Sequence, residues 1–150
     1  MNVKPDVLLV DDAQADVKLT LYAFSRLRPG HQIQVFRDGA EVLEFLFGDG
    51  DRVQTFLSPS LKLILLDLKL PKINGFEVLK AIKSAPETRS IPVVILTSSN
   101  QELDVSRSYQ LGANSYIQKP VDFDAFREVV QKIEAYWLQV NQPPPIAEKR

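Results

Sequence analysis

Asp11 and Asp12 follow the apolar run Val7–Val10, Asp67 follows Leu63–Leu66, Thr97 follows Val93–Leu96, and Lys119 follows Ser115–Gln118. Carboxylates brought to one place repel one another and raise each other's pKa unless a cation sits among them. A small hard cation such as Mg2+ suits one or two carboxylates together with water and phosphate oxygens. Asp11 and Asp12, on a strand-to-helix turn, are fitted to hold it directly or through water. Asp67, at the end of a central strand, is rigidly placed to act as a nucleophile toward phosphorus, forming an acyl phosphate. Phosphoryl transfer rests mostly on positioning and charge neutralisation. Mg2+ and the Lys119 ammonium would offset the equatorial oxygens, and the Thr97 hydroxyl would donate a hydrogen bond to one of them.

The elements that must position these groups can be read from apolar patterning. The runs VLLV (Val7–Val10), LILL (Leu63–Leu66) and VVIL (Val93–Leu96) are apolar on both alternating faces. Such runs suit strands buried under helices on both sides of a parallel sheet. Gln32–Phe36 and Ser115–Gln118 alternate more and are expected nearer the sheet edges. Helical spacing links Leu19, Tyr22, Ala23 and Leu27 before Pro29-Gly30, and Leu43, Leu46 and Phe47 after Asp38-Gly39. It recurs from Phe76 to Ile82 after Gly75, and from Leu103 to Leu111 before Gly112. Phe126, Val129, Val130, Ile133, Trp137 and Val140 form the longest stripe. The chain thus alternates strand and helix five times. Right-handed crossovers turn that pattern into an α/β, doubly wound, five-stranded parallel sheet of flavodoxin-like order 2-1-3-4-5. The ligand crevice of such a sheet lies beyond the carboxyl ends of its strands, where the first, third, fourth and fifth ends share one lip.

Two features depart from a minimal version of this fold. Residues 48–60 form a long connection, as functional or mobile loops often do. The last helix is expected to run to about Val140, giving one domain over residues 1–140 and a Pro-rich, disordered tail over 141–150. With 150 residues, 18 basic against 19 acidic side chains and a net charge of −1, the chain suits one domain and lacks the basic excess of a nucleic-acid binder. No cysteine and a single His31 exclude a disulfide framework, a thiolate metal site and a histidine-rich one. The apolar runs are too short to span a membrane, and acidic residues come too early for a signal peptide. A soluble cytoplasmic protein with neither nucleic-acid nor membrane partners is the expectation.

Each candidate also has a plainer meaning. An Asp-Asp pair after a strand is often a helix N-cap with a solvated neighbour, and Thr97-Ser98-Ser99-Asn100 reads as a capping segment for the next helix. Asp67 could face solvent, Lys119-Pro120 could be an ordinary turn, Tyr116 a half-exposed packing residue and His31 a surface loop residue. These readings weaken together, because every one of these strand ends carries a chemically matched residue.

From about Val7 to Ile133 the chain resembles the receiver domain of two-component response regulators. The matching motifs are LLVDD (Leu8–Asp12), LILLDLKLPKINGFEVL (Leu63–Leu79), IPVVILTSS (Ile91–Ser99) and SYIQKPVD (Ser115–Asp122). The DAQAD turn (Asp12–Asp16), the long loop before the third strand, LGANSYIQKPVD (Leu111–Asp122) and IEAYWL (Ile133–Leu138) resemble the single-domain regulators paired with phytochrome-type histidine kinases. The resemblance implies Asp67 as phosphoacceptor, Asp11 and Asp12 as the acidic Mg2+ pair and the main-chain carbonyl of Lys69 as a further metal ligand. It also implies Thr97 as the hydroxyl that follows the phosphoryl group, Lys119 as the bridging cation and a cis Lys119–Pro120 bond. Tyr116 matches the aromatic whose rotamer reports phosphorylation. Lys69 and Ser99 fall at positions, two after Asp67 and two after Thr97, that flank the path of an attacking water.

The expected function is therefore a phosphoprotein switch, not an enzyme. It would accept phosphate from a histidine kinase and signal through altered contacts with a downstream protein or as a relay intermediate, with no DNA-binding output of its own. The rival is an Mg2+-dependent phosphohydrolase with an aspartyl nucleophile. Such enzymes usually carry a second carboxylate two residues on, where this chain has Lys69. A nucleotide or flavin binder would need a glycine-rich first turn in place of DDAQAD, and a degenerate interaction module would not keep all the site residues. Phe123, Tyr136, Trp137 and the extended last helix raise a homodimer as a further expectation, against the plainer reading that they pack on the core or on loop 48–60.

Overall fold

A computed structural model of the chain describes residues 5–27, 31–48 and 61–144. Most of the 48–60 connection and the end of the tail lie outside the described residues. Strands β1 (Val7–Val10), β2 (Ile33–Phe36), β3 (Leu63–Leu66), β4 (Val93–Thr97) and β5 (Ser115–Gln118) are all parallel and lie in the order β2-β1-β3-β4-β5. The flavodoxin-like order expected from the alternation is the one observed, with the two more alternating strands at the edges. Helices α1 (Gln14–Ser25), α2 (Gly39–Phe47), α3 (Gly75–Ser84) and α4 (Glu102–Gln110) lie in the crossovers, and α5 (Phe123–Ile133) follows β5.

Every residue of β1, β3 and β4 is buried because each strand feeds two cores in alternation. Leu8, Val10, Ile64, Leu66, Val93 and Ile95 pack on one face with Val42 and Leu46 of α2 and Val78, Leu79 and Ile82 of α3. Val7, Leu9, Leu63, Leu65, Val94 and Leu96 pack on the other with Val17 and Phe24 of α1 and Phe126, Val130 and Ile133 of α5. Helix α4 buries Ser108 alone among its residues and lies against β5 and α3. Its Arg107 guanidinium sits 4.2 Å above the Phe76 ring. Burial on both faces makes the register unforgiving. Val10 pairs with Leu66, Leu66 with Ile95, and Thr97 with Gln118. The ladder continues one step further, with Asp67 N donating to Val10 O at 2.9 Å and Lys119 N to Thr97 O at 2.7 Å. The next residue of each strand is thereby delivered to a common lip.

Capping chemistry sets where the helices begin. Asp38 accepts from Glu41 N at 2.7 Å at the start of α2, Asp122 from Ala125 N at 2.9 Å at the start of α5, and Asn74 forms a reciprocal capping box with Glu77 at the start of α3. Gly75 opens α3 directly behind β3, where a Cβ would collide with Asp67 O and Leu68 Cα. Gly112 follows α4 at φ 106°, a left-handed turn that a side chain would strain.

Two expectations need correction. The last helix does reach Val140, but it is α-helical only to Ile133 and continues as a π-helical segment, Glu134–Val140. His31 is no free surface residue: its ring meets Phe24 edge-on at 6.1 Å, and its Nε2 lies 3.0 Å from Glu134 Oε2. The two deviations share a cause. Glu134 is 1% exposed, and a carboxylate withdrawn from water needs polar partners. The i→i+5 winding places Gln139 beside it, with Nε2 at 2.7 and 2.9 Å from its two carboxylate oxygens, and His31 reaches it from across the fold.

Because the atoms opposing a methyl at Gly75 are backbone, Gly75→Ala should destabilise the protein by about 2–4 kcal/mol, as overpacking against main chain does. Chemical denaturation of this variant against the unaltered chain measures it, and a loss below about half a kcal/mol would contradict the tight α3–β3 seat.

Candidate functional site

The lip formed by the strand ends brings Asp11, Asp67 and Lys119 into one buried cluster. Lys119 Nζ lies 2.8 Å from Asp11 Oδ2 and 2.8 Å from Asp67 Oδ2. It also lies 2.9 Å from Asp16 Oδ2, in the first turn of α1. An ammonium has three N–H bonds, and each here faces a carboxylate. The other oxygen of each sheet aspartate is tied to the backbone two residues on: Asp11 Oδ1 accepts from Ala13 N at 3.0 Å and Asp67 Oδ1 from Lys69 N at 3.2 Å. Each bond closes a tight turn that points its carboxylate into the cluster.

Electrostatics follow from burial. Desolvation dominates at Asp11 and raises its pKa to about 6, even though the hydrogen bond and charge of Lys119 act the other way. Burial also works against the Lys119 ammonium, but its hydrogen bonds to Asp11, Asp67 and Asp16 outweigh this and hold its pKa above that of an ordinary lysine. Lys119 therefore stays charged and neutralises part of a strongly acidic recess.

Asp12 is exposed beside this cluster and has no ion pair with it among the described residues. It is not the cap of α1 either, since Ala13 occupies that position without a side-chain bond. Thr97 is fully buried at the end of β4, and its Oγ1 has no hydrogen-bond partner among the described residues. A buried hydroxyl left without a partner costs about 1–3 kcal/mol, so it marks a place where another group is expected to dock. The Lys69 side chain is exposed, whereas Ser99 is buried, with its hydroxyl donating to Asp104 Oδ2 at 2.6 Å and accepting from Gln101 N at 3.3 Å. The Thr97–Asn100 run does not cap α4: the N-cap is Gln101, without a side-chain cap bond, and Ser99 only closes the turn that leads to it. Tyr116, half-buried on edge strand β5, donates its hydroxyl to Ser99 O at 3.0 Å. Burial raises the pKa of that phenol, and the Asp104 and Asp67 charges add to the effect. Trp137 packs on the α1–α5 core, while Phe123 and Tyr136 remain about half exposed.

The residue that sequence reasoning missed is Asp16. Its signal was present in the DAQAD turn, where a carboxylate stands in the first helical turn after the acidic pair. Such a residue is ordinarily explained by the helix dipole alone.

A divalent ion would find only hard oxygen donors here, in Asp11, Asp12, Asp67 and the Lys69 carbonyl, which fits Mg2+ or Mn2+ and excludes softer metals. Among the described residues no three carboxylates form a ready-made cage, because the Lys119 ammonium is already seated between them.

The raised pKa of Asp11 has a consequence for stability without metal. The folded state holds the Asp11 proton up to about pH 6, whereas the unfolded chain releases it near 3.8. Stability is therefore lost as pH rises between these values, and the cost is fully present above the upper one. In a chelator, the stability of Asp11→Asn relative to the parent should rise as pH rises from about 4 to about 6, because the variant has no proton to lose there. Thermal unfolding of both proteins across that pH range checks it, and a difference that stays constant with pH would contradict the assignment.

Comparison with known proteins accords with this site. The response regulator receiver domain family matches residues 7–131. The probable methanogenesis regulatory protein FilR2 of Methanothrix harundinacea is 40% identical over 139 residues, covering 92% of this chain and 86% of that protein. Response regulator Rcp1 of Synechocystis is 41% identical over 138 residues, 92% of each chain. A crystal structure of Mn2+-bound Rcp1 aligns with a TM-score of 0.83 at 39% identity, over 94% of this chain and 100% of that one. The phosphorylated cyanobacterial phytochrome response regulator RcpA aligns with a TM-score of 0.85 at 36% identity, over 95% of this chain and 100% of that one. With its sheet order and these relatives in agreement, the chain belongs to the response regulator receiver domain family.

Proposed function

We propose that the protein is a phosphorylation switch that accepts a phosphoryl group from a histidine kinase on Asp67, with Mg2+ bound beside it, and signals through changed protein contacts. The observation that carries this reading is the buried, partnerless Thr97 hydroxyl at the lip where Lys119 meets Asp67. In the transfer, an Asp67 carboxylate oxygen attacks the phosphorus of a phosphohistidine. The O–P bond forms as the P–N bond breaks, and the leaving imidazole keeps the electron pair and takes up a proton. Asp67 is oriented by its bond from Lys69 N, which turns the carboxylate toward the lip. Lys119 supplies positive charge to the phosphoryl oxygens, and Thr97 supplies the hydrogen bond that it makes to nothing else described. Bound Mg2+, held by Asp11, Asp12, Asp67 and the Lys69 carbonyl, would supply the remaining charge neutralisation.

The output is proposed to pass through Thr97 and Tyr116. Their strands are neighbours, and the Tyr116 hydroxyl is bonded to the loop that Thr97 begins. A Thr97 drawn toward a phosphoryl oxygen would shift that loop and the seat of the ring, biasing a two-state surface. RcpA is a phytochrome response regulator, and the kinase proposed here is of the phytochrome type. Phosphohydrolase activity is the second reading. The Lys69 position speaks against it, since the second carboxylate usual two residues after the nucleophile of such enzymes is replaced there by an exposed lysine.

Incubation with a small acyl phosphate and Mg2+, read by intact mass, should add a single phosphoryl group, with none in Asp67→Asn and far less in chelator. Repeated turnover of a phosphomonoester with no modified protein would instead favour the hydrolase. Thr97→Ala should still be phosphorylated on Asp67 but leave Tyr116 unresponsive, so its ring resonances in NMR should shift with phosphorylation in the parent and stay fixed in the variant.

A further inference from the structure

We infer that Asp16 is a positioning residue that gives the Lys119 ammonium a partner to keep when a divalent ion takes Asp11 and Asp67. The inference rests on the reading of this lip as a metal site. As the cluster stands, the ammonium contacts both Asp11 Oδ2 and Asp67 Oδ2, and the remaining oxygen of each is committed to a backbone N–H. The lysine and an incoming cation therefore compete for the same carboxylates. Asp16 meets the ammonium at 2.9 Å but belongs to neither strand end. Its carboxylate is one-third exposed in the first turn of α1, at the outer side of the cluster.

A lysine that releases Asp11 to an ion must keep a partner or pay the cost of a buried unpaired charge. Asp16 offers that partner outside the ion's ligand set, and Asp67 can be shared. The Asp16 position is itself fixed, because its main-chain carbonyl accepts from the buried Thr20 hydroxyl at 2.8 Å. Without Asp16 the ammonium would keep only the ion's own ligands as partners, and one charge-assisted hydrogen bond is worth roughly tenfold in such an equilibrium. Asp16 acts by contact with Lys119 and not merely by its charge, and the two can be separated, since neighbouring Ala15 is exposed and can carry a carboxylate that does not replace this contact.

The test is the Mn2+ affinity of the full chain, read from the electron paramagnetic resonance signal of the free ion at fixed pH and ionic strength. Asp16→Asn should bind Mn2+ roughly tenfold more weakly. The double variant Ala15→Asp/Asp16→Asn, which restores the net charge without the contact, should remain as weak. Asp16→Glu should recover the affinity to within about threefold, because the carboxylate returns to the same helical position. Unchanged affinity in Asp16→Asn would overturn the inference, as would full recovery by the displaced carboxylate or no recovery by Glu. An unaltered chain that binds no Mn2+ would overturn the metal site itself, which is a separate result from a parent that binds tightly and an Asp16→Asn variant that binds equally well.

Discussion

One ammonium shared among three carboxylates governs how this molecule is built. Lys119 sits between aspartates from the end of β1, the end of β3 and the first turn of α1, so three separate segments must arrive at the same place. A charge cluster this well shielded from water is weak evidence of stability and strong evidence of use. The lip holds excess negative charge with a single lysine to offset it, an arrangement that a purely structural network would avoid. The protein tolerates it because the strands delivering these groups are locked on both faces by branched aliphatic side chains.

The packing explains why that delivery is accurate. A shift of one residue in β3 would exchange Ile64 and Leu66 with Leu63 and Leu65 between opposite cores, and would carry Asp67 off the lip. Gly75 sets a second limit by letting α3 approach the main chain at Asp67 and Leu68. The β5 side obeys a looser rule. Helix α4 has one buried residue, and Tyr116, although it packs on the core edge, is tied through hydrogen bonds to Ser99 and from there to Asp104. Tight apolar packing on one side thus meets polar, replaceable contacts on the other.

Much of this was legible in the residues. Continuous apolar runs such as LILL announce a strand covered on both sides, and the order of strands and helices leaves few sheet topologies once crossover handedness is imposed. Asp11, Asp67, Thr97 and Lys119 were legible because each directly follows or ends such a run, and a parallel sheet aligns those ends. Asp16 was not, because its contact depends on where the first turn of α1 meets the Lys119 side chain, a tertiary fact with no local pattern. His31 and Glu134 escaped for a different reason. A stripe from Phe126 to Val140 reads as one uniform helix, and nothing in its spacing reports that hydrogen bonding shifts by one residue after Ile133.

That shift has a consequence for the far end of the molecule. Winding with one extra residue per hydrogen-bonded ring rotates the phase of everything downstream, so the terminal aromatics are not presented as an unbroken α-helix would present them. Trp137 turns inward while Tyr136 stands outward, their rings perpendicular at 4.9 Å. The helix thereby behaves like a screw cut with two threads, in which α5 seats on the sheet and the final turns aim their side chains independently of it. Moving that junction a residue either way would re-aim the terminal segment while the cluster around Lys119 stays as it is.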